Sequence, residues 1–118
     1  MQSNLFHYKA LITNVYDGDT CTADIDLGFG IWIRGEKLRL HRINAPEIVG
    51  ASSLQGRDSQ QFLASLIGSK EVTLETIKDK KEKYGRFLAE IWILDKGGMR
   101  VNVNDLMVEK GFAEYKKY

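Results

Sequence analysis

The sequence predicts a single, mainly β domain that carries two helices, and three features support this. Apolar and polar residues alternate over residues 6–15 and again over residues 20–27, which is the period of a half-buried strand. Apolar residues before Gly68 recur instead at helical spacing. The chain has 118 residues, of which 43% are hydrophobic, so we expect one core and one domain over residues 1–118.

The first two strands are predicted from their alternation. Tyr8, Ala10 and Ile12 share one face of the first strand, and the second strand alternates small or branched apolar residues with Thr and Asp. Between them, Gly18 is free to adopt the positive φ that a tight turn requires. The two segments therefore form an antiparallel pair.

The third strand is predicted to be interrupted. Gly28 should bend the chain before a short apolar segment at residues 31–33, and residues 34–36 have the composition of a turn. Residues 37–43 then form the third strand, and Pro46 ends it because proline cannot donate to the ladder.

The first helix follows a polar loop. Phe62, Leu63, Leu66 and Ile67 fall on one side of this helix, as in a helix packed on a core. Gly68 is the expected C-cap. Beyond it, residues 71–77 and 86–94 are strand-like, the charged residues 78–83 connect them, and residues 95–98 form a tight turn.

A short helix ends the predicted fold. Asn104 is the expected N-cap of a helix at residues 105–110, which Gly111 ends. Five strands with a helix between the third and the fourth are the arrangement of an OB-fold barrel. An unrelated small α+β sheet fits the same order of elements nearly as well.

Charge and cysteine content restrict the function only weakly. The formal net charge is +1, so a basic surface for nucleic acid would have to be local. Cys21 is the single cysteine, which excludes an internal disulfide and suggests a buried thiol. Residues 1–10 lack the apolar segment of a signal peptide, and no apolar run approaches membrane-spanning length. We therefore expect a cytoplasmic protein, unless a leader has been removed.

Three short clusters place charged side chains at strand ends or in turns. In the first, Asp17 and Asp19 flank a glycine, and such a pair of carboxylates can bind a hard cation. Most turns of this composition only satisfy their own backbone. In the second, Arg39 lies within a strand, and Asn44 and Glu47 lie where that strand gives way to a loop. Each of these residues alone would be read as a solvated surface group.

The third cluster ends the charged segment. Lys83, Tyr84 and Arg86 combine two cations with an aromatic ring, which suits a phosphate and a base or sugar. A flexible, solvated loop is the default explanation of the surrounding lysines.

Together the clusters resemble the staphylococcal (thermonuclease) nuclease family. The resemblance extends from about Tyr8 to about Tyr115, and three motifs occur in the family's order: residues 15–20, 38–47 and 84–89. It implies an OB-fold barrel and a calcium-dependent nuclease that cuts DNA or RNA. We also expect that this chain acts as a monomer and does not work at a membrane.

The resemblance assigns the cation to the first two clusters. Asp19 corresponds to a calcium-binding carboxylate, with Asp17 behind it, and Ala45 would contribute its carbonyl oxygen. Asn44 stands where the family usually has a second metal-binding aspartate. An amide oxygen can ligate calcium but carries no negative charge, so we expect weaker calcium binding here.

The resemblance also implies the catalytic and substrate-binding residues. Arg39 and Arg86 would grip the scissile phosphate, and Glu47 would position or deprotonate the attacking water. Lys83 and Tyr84 would hold a neighbouring phosphate. A catalytically silent module that binds single strands is the alternative. Asn44 favours the silent module, whereas the presence of all three catalytic side chains favours the enzyme.

Overall fold

The computed structural model describes residues 6–48, 50 and 53–116; residues 1–5, part of the segment examined above for a leader, lie outside them. In these ranges the chain forms eight strands and two helices. The strands are β1 (His7–Asp17), β2 (Thr20–Gly28), β3 (Ile31–Leu40), β4 (Ile43–Asn44), β5 (Glu71–Lys81), β6 (Phe87–Leu94), β7 (Arg100–Asn102) and β8 (Glu114–Tyr115). The helices are α1 (Ser53–Ile67) and α2 (Val103–Glu109).

Five strands close into a barrel in the order β3-β2-β1-β5-β6. The neighbours pair antiparallel, and closure comes from a parallel pairing of β3 with β6, in which Leu38 faces Phe87 and Leu40 faces Ala89. Helix α1 lies between the third and fourth barrel strands. The predicted OB-type barrel is therefore confirmed over the α+β sheet alternative.

The alternation of the strands fills the barrel. Cys21, Ala23 and Ile25 of β2 are buried, while the Thr and Asp residues between them are more exposed. The predicted apolar side of α1 contributes Leu63 and Ile67, which are fully buried. Cys21 is a free thiol in this core, as expected from the sequence.

The prediction of a turn at residues 34–36 is wrong. Strand β3 is continuous from Ile31 to Leu40, and Gly35 adopts a φ of 70° within it. The pairing with β2 shifts register here, and Asp24 accepts hydrogen bonds from the Gly35 N–H (2.9 Å) and from Arg34 Nη1 (3.2 Å). A segment with the composition of a turn thus forms a β-bulge, because Asp24 of the neighbouring strand accepts hydrogen bonds from the displaced residues.

The expected N-cap of the last helix is also wrong. Asn102 caps α2, because its side chain accepts a hydrogen bond from the Asp105 N–H at 2.9 Å. Asn104 lies inside the helix and is fully buried. Its amide donates to the carbonyls of His41 and Ala89, and its oxygen accepts from the Ile91 N–H. Its role is to join α2 to β6 and to the turn after β3.

Two further boundaries differ from the sequence expectation. Strand β5 continues to Lys81, so most of the charged segment belongs to the barrel. After α1 the residue with positive φ is Ser69 (57°), whereas Gly68 does not adopt the left-handed conformation. In the described part of the chain, no helix has both the length and the apolar character needed to cross a membrane.

Candidate active site

The turn between β1 and β2 lies against two other parts of the chain. A Cβ on Gly18 would come within 2.7 Å of the Cβ atoms of both Ala45 and Ser59. Only glycine permits this approach, so the Asp17–Asp19 turn can pack on the segment after β4 and on α1. This contact brings the first and second sequence clusters together.

Asp19 is the centre of that contact and is only 8% exposed. Its Oδ2 atom accepts a hydrogen bond from the Ala45 N–H at 2.8 Å, and its Oδ1 atom accepts one from Thr20 Oγ1 at 3.1 Å. Arg39 Nη2 lies 3.4 Å from Oδ2. The carboxylate is therefore held from three sides.

Arg39 is fixed more firmly than a surface arginine. Its Nη1 atom donates to the carbonyls of Leu40 (2.7 Å) and Ile43 (2.9 Å), and its Nη2 atom donates to Asn44 Oδ1 at 2.7 Å. Only 14% of the side chain is exposed. The amide oxygen of Asn44 thus faces Arg39, which in turn contacts Asp19.

Arg86 is held by Glu82, a residue that sequence reasoning missed. Arg86 Nε and Nη2 donate to the two oxygens of Glu82 at 2.9 and 3.1 Å. The N–H groups of Tyr84 and Arg86 donate to the same carboxylate. These contacts, first of all those with the Arg86 side chain, lower the pKa of Glu82 to about 2. The spacing of four residues between the two partners was an available signal.

The third cluster also reaches the first. Arg86 Nη1 lies 3.5 Å from Thr20 Oγ1, and Thr20 in turn bonds to Asp19. Lys83 Nζ lies 5.1 Å from the ring centre of Tyr84, and the Arg86 guanidinium lies 5.4 Å from it. Two cations therefore lie within cation–π distance of the Tyr84 ring.

A cleft of about 630 Å³ passes across this end of the barrel. Its lining is Asn14, Tyr16, Asp17, Thr20, Thr22, Lys37, Glu47, Tyr84 and Arg86. The backbone around Glu47 packs on α1 at Gly56, where a Cβ would lie 2.1 Å from the Glu47 carbonyl oxygen. The Glu47 side chain is exposed and lines the same cleft as Arg86.

Not every predicted site residue lines this cleft. Arg39 and Lys83 line a neighbouring cavity of about 320 Å³, which shares Tyr84 and Arg86 with the cleft. Asn44 and Ala45 line a third cavity, on the side of the turn after α2. The structure thus groups Glu47 with Arg86, and Arg39 with Asp19, with Thr20 between the two groups.

The carboxylate oxygens of Asp17 and Asp19 are of the chemical type that a hard cation binds. Burial, followed by the negative charge of Asp19, raises the pKa of Asp17 to about 6. Two carboxylates so close in a half-buried turn favour a positive partner. Neither His nor Cys contributes, and within the described ranges no three His, Cys, Asp or Glu side chains gather around one point. A cation here would need neutral oxygens, water or substrate to complete its shell, as Asn44 and Ala45 allow.

Comparisons with known proteins agree with this geometry. A family model described as staphylococcal nuclease homologue matches residues 37–118. A thermonuclease of Staphylococcus intermedius is 31% identical over 111 residues, covering 92% of this chain and 60% of the relative. A thermonuclease of Staphylococcus hyicus is 28% identical over 119 residues, covering 98% of this chain and 64% of the relative. The chain thus spans less than two thirds of these relatives. The family match and the barrel confirm the resemblance stated above: the chain belongs to the staphylococcal nuclease family.

Proposed function

We propose that this protein is a nuclease that hydrolyses phosphodiester bonds in DNA, RNA or both, with a calcium ion and a water molecule as nucleophile. The observation that carries the proposal is the cleft that both Glu47 and Arg86 line, next to the contact between Asp19 and Arg39. The names of the two thermonucleases support nuclease activity.

The two arginines are proposed to bind the scissile phosphate. A guanidinium matches phosphate oxygens in geometry and stabilises the charge that develops as water adds. Glu82 occupies the Nε and Nη2 atoms of Arg86, and Nη1 is directed toward Thr20. Arg86 can therefore meet a phosphate in the cleft with a fixed orientation.

Glu47 is proposed to activate the water. A general base must lie within hydrogen-bond reach of the proton that it accepts, and Glu47 is an exposed carboxylate on the wall of the cleft. Lys83 and Tyr84 extend from the adjoining loop, where they can contact a neighbouring phosphate and base. We propose that the enzyme works as a monomer.

Calcium is proposed to bind near Asp19, with Asn44 and Ala45 as neutral oxygen donors and Asp17 behind. When bound, the cation would draw electron density from the phosphate. The Asp19 carboxylate is already oriented by the Ala45 N–H and by Thr20. Asn44 contributes no charge, which predicts a higher calcium requirement than two aspartates would give.

A silent binding module is the second candidate, and one observation favours it. Asn44 Oδ1 accepts a 2.7 Å hydrogen bond from Arg39, so this oxygen is already engaged within the protein. If calcium cannot compete for it, the cleft would bind single strands without cutting them.

The deciding experiment compares wild type with Glu47→Ala. Single-stranded DNA and RNA are incubated with each protein, in calcium and in chelator, and the products are separated by length. The proposal predicts cleavage with calcium but not with chelator, and a loss of roughly 10²–10⁴-fold in rate in the variant. Glu109→Ala, which removes an exposed carboxylate of α2, should cut like wild type. Binding without cleavage in every divalent metal would establish the silent module instead.

A further inference from the structure

The large cleft continues beyond the residues used in the proposed chemistry. Residues already described at the proposed site line one part of it, namely Asp17, Thr20, Glu47, Tyr84 and Arg86, whereas Asn14, Tyr16, Thr22 and Lys37 line the rest. These four residues belong to β1, β2 and β3, so the cleft extends along the outer surface of the barrel. The proposed hydrolysis leaves this half of the cleft without a role.

Tyr16 lines the cleft at an irregularity in β1. The pairing of β1 with β2 shifts register between Val15 and Asp17, which face Cys21 and Thr20, so Tyr16 is the unpaired residue. A β-bulge changes the direction of a side chain, and bulges are frequent next to active sites. The Tyr16 side chain is 64% exposed, so its ring is available for stacking.

Lys37 lies on the same face of β3 as Arg39. Leu38 between them is fully buried, and the two residues face Thr22 and Thr20 of β2. A two-residue repeat in a strand spans about 6.6 Å, which is similar to the separation of consecutive phosphates along an extended nucleic-acid strand. Lys37 therefore continues, one step further, the line of cations that starts at Arg39.

Lys37 is also free to bind a ligand. Nearby charges on the barrel are paired, Arg34 with Asp24 at 3.2 Å and Lys81 with Glu36 at 3.4 Å. Among the described residues Lys37 has no ion-pair partner, and it is exposed. An unpaired cation beside an exposed aromatic ring is the combination that binds a nucleotide in single-stranded nucleic acid.

We propose that Tyr16 and Lys37 form a second nucleotide subsite, in which Tyr16 stacks on a base and Lys37 binds the phosphate next to the scissile one. The subsite rests on the proposed function, which places the scissile phosphate at Arg39 and Arg86. Tyr16 and Tyr84, 64% and 70% exposed, then contact bases at two places in the cleft. A base reaches either ring only when it is unstacked, so the preferred substrate is a single strand long enough to occupy both.

The test measures binding in chelator, where no cleavage is expected. Labelled oligonucleotides of two to eight residues, as DNA and as RNA, are titrated with wild type and variants by fluorescence anisotropy. Wild type should gain affinity when the strand becomes long enough to reach Tyr16. Tyr16→Ala should lower the affinity for these longer strands roughly tenfold, whereas Tyr16→Phe should bind them like wild type. Lys37→Ala should lower the slope of log affinity against log salt by about 0.7.

Two variants elsewhere on the surface serve as controls. Phe29→Ala removes an exposed aromatic ring between β2 and β3, and Lys96→Ala removes an exposed lysine in the turn after β6. Both should bind every oligonucleotide like wild type. Thermal unfolding of all variants checks that the fold is intact, which is expected because each altered side chain is exposed.

The outcomes separate the subsite from the hydrolysis. If Tyr16→Ala and Lys37→Ala bind long strands like wild type, or if Tyr16→Phe is as weak as Tyr16→Ala, the subsite is overturned, whether or not the protein cuts. If the length-dependent gain is lost in the variants but no cleavage occurs in calcium, the hydrolysis is wrong and the subsite stands.

Discussion

The two arginines proposed to grip the phosphate are held in different ways. Arg39 donates to two backbone carbonyls and to Asn44, contacts Asp19, and has a side chain that is 14% exposed. Arg86 lies at the end of an exposed loop and depends on one carboxylate, that of Glu82.

The difference shows how far the orientation of each arginine side chain depends on the whole fold. The partners of Arg39 come from β3, β4 and the turn before β2, so Arg39 can be oriented only when the barrel is formed. The clamp on Arg86, which is the pair of hydrogen bonds to the Glu82 carboxylate, is local because Glu82 is only four residues away along the chain. We therefore expect changes at Arg39 to lower stability more than changes at Arg86 do, while both lower activity.

The largest expected effect comes from replacing each arginine with lysine. Both Arg39→Lys and Arg86→Lys should slow cleavage by roughly 10²–10³-fold, because lysine cannot provide the fork of a guanidinium. Arg39→Lys should also lower the free energy of unfolding by about 1–3 kcal/mol, since partly buried acceptors lose their donors. Arg86→Lys should lower it less than Arg39→Lys does, because a lysine at this position can still form an ion pair with Glu82. Urea unfolding with cleavage rates checks this, and equal stability losses would contradict the comparison.

A smaller effect is expected for Glu82→Gln. The amide still accepts one hydrogen bond but loses the charge-assisted pair, so Arg86 becomes mobile and cleavage should fall roughly tenfold. Because the pKa of Glu82 is about 2, the carboxylate stays ionised well below pH 5. The ratio of wild-type to variant rate should therefore be constant from pH 5 to 9. A ratio that changes across this range would show that Glu82 titrates there and is not clamped.

Protonation of the Glu82 carboxylate sets the lowest pH at which its pairing with Arg86 persists. A folded-state pKa below the ordinary value means that the pairing stabilises the protein above pH 4.5 and that this contribution is lost as the pH falls toward 2. Acid unfolding of wild type and Glu82→Gln should thus converge near pH 2. If the two curves stay separate at that pH, Glu82 acts by another route.

The smallest effect is expected for Asn44→Asp. This change places a carboxylate beside Arg39, as Glu82 already does beside Arg86. The new charge should lower the calcium concentration for half-maximal activity a few-fold and strengthen calcium binding in calorimetry. Gln55→Glu adds the same charge on an exposed part of α1 and should change neither value. An unchanged calcium requirement in Asn44→Asp would remove this position from the cation's ligands.

Local patterns in the sequence predicted the main strands and both helices, whereas the family resemblance was needed to favour the barrel over an α+β sheet. Strand alternation and the helical spacing before Gly68 depend on short-range geometry, and the core follows from them. The same patterns failed where a distant partner decides the outcome. Residues 34–36 form a bulge because β2 accepts their backbone donors, and Asn104 is buried because carbonyls of β6 and of the turn after β3 surround its amide.

The chemical types of the site residues were therefore readable in the chain, while their arrangement was not. Asp19, Arg39, Glu47 and Arg86 stand in recognisable motifs, since cation and phosphate binding demand those side chains. Only the tertiary structure decided that Asn44 faces Arg39, that Arg39 contacts Asp19, and that Tyr16 lines the cleft at a bulge. These features depend on which strands and loops meet after the barrel closes, and no single segment of the sequence contains that information.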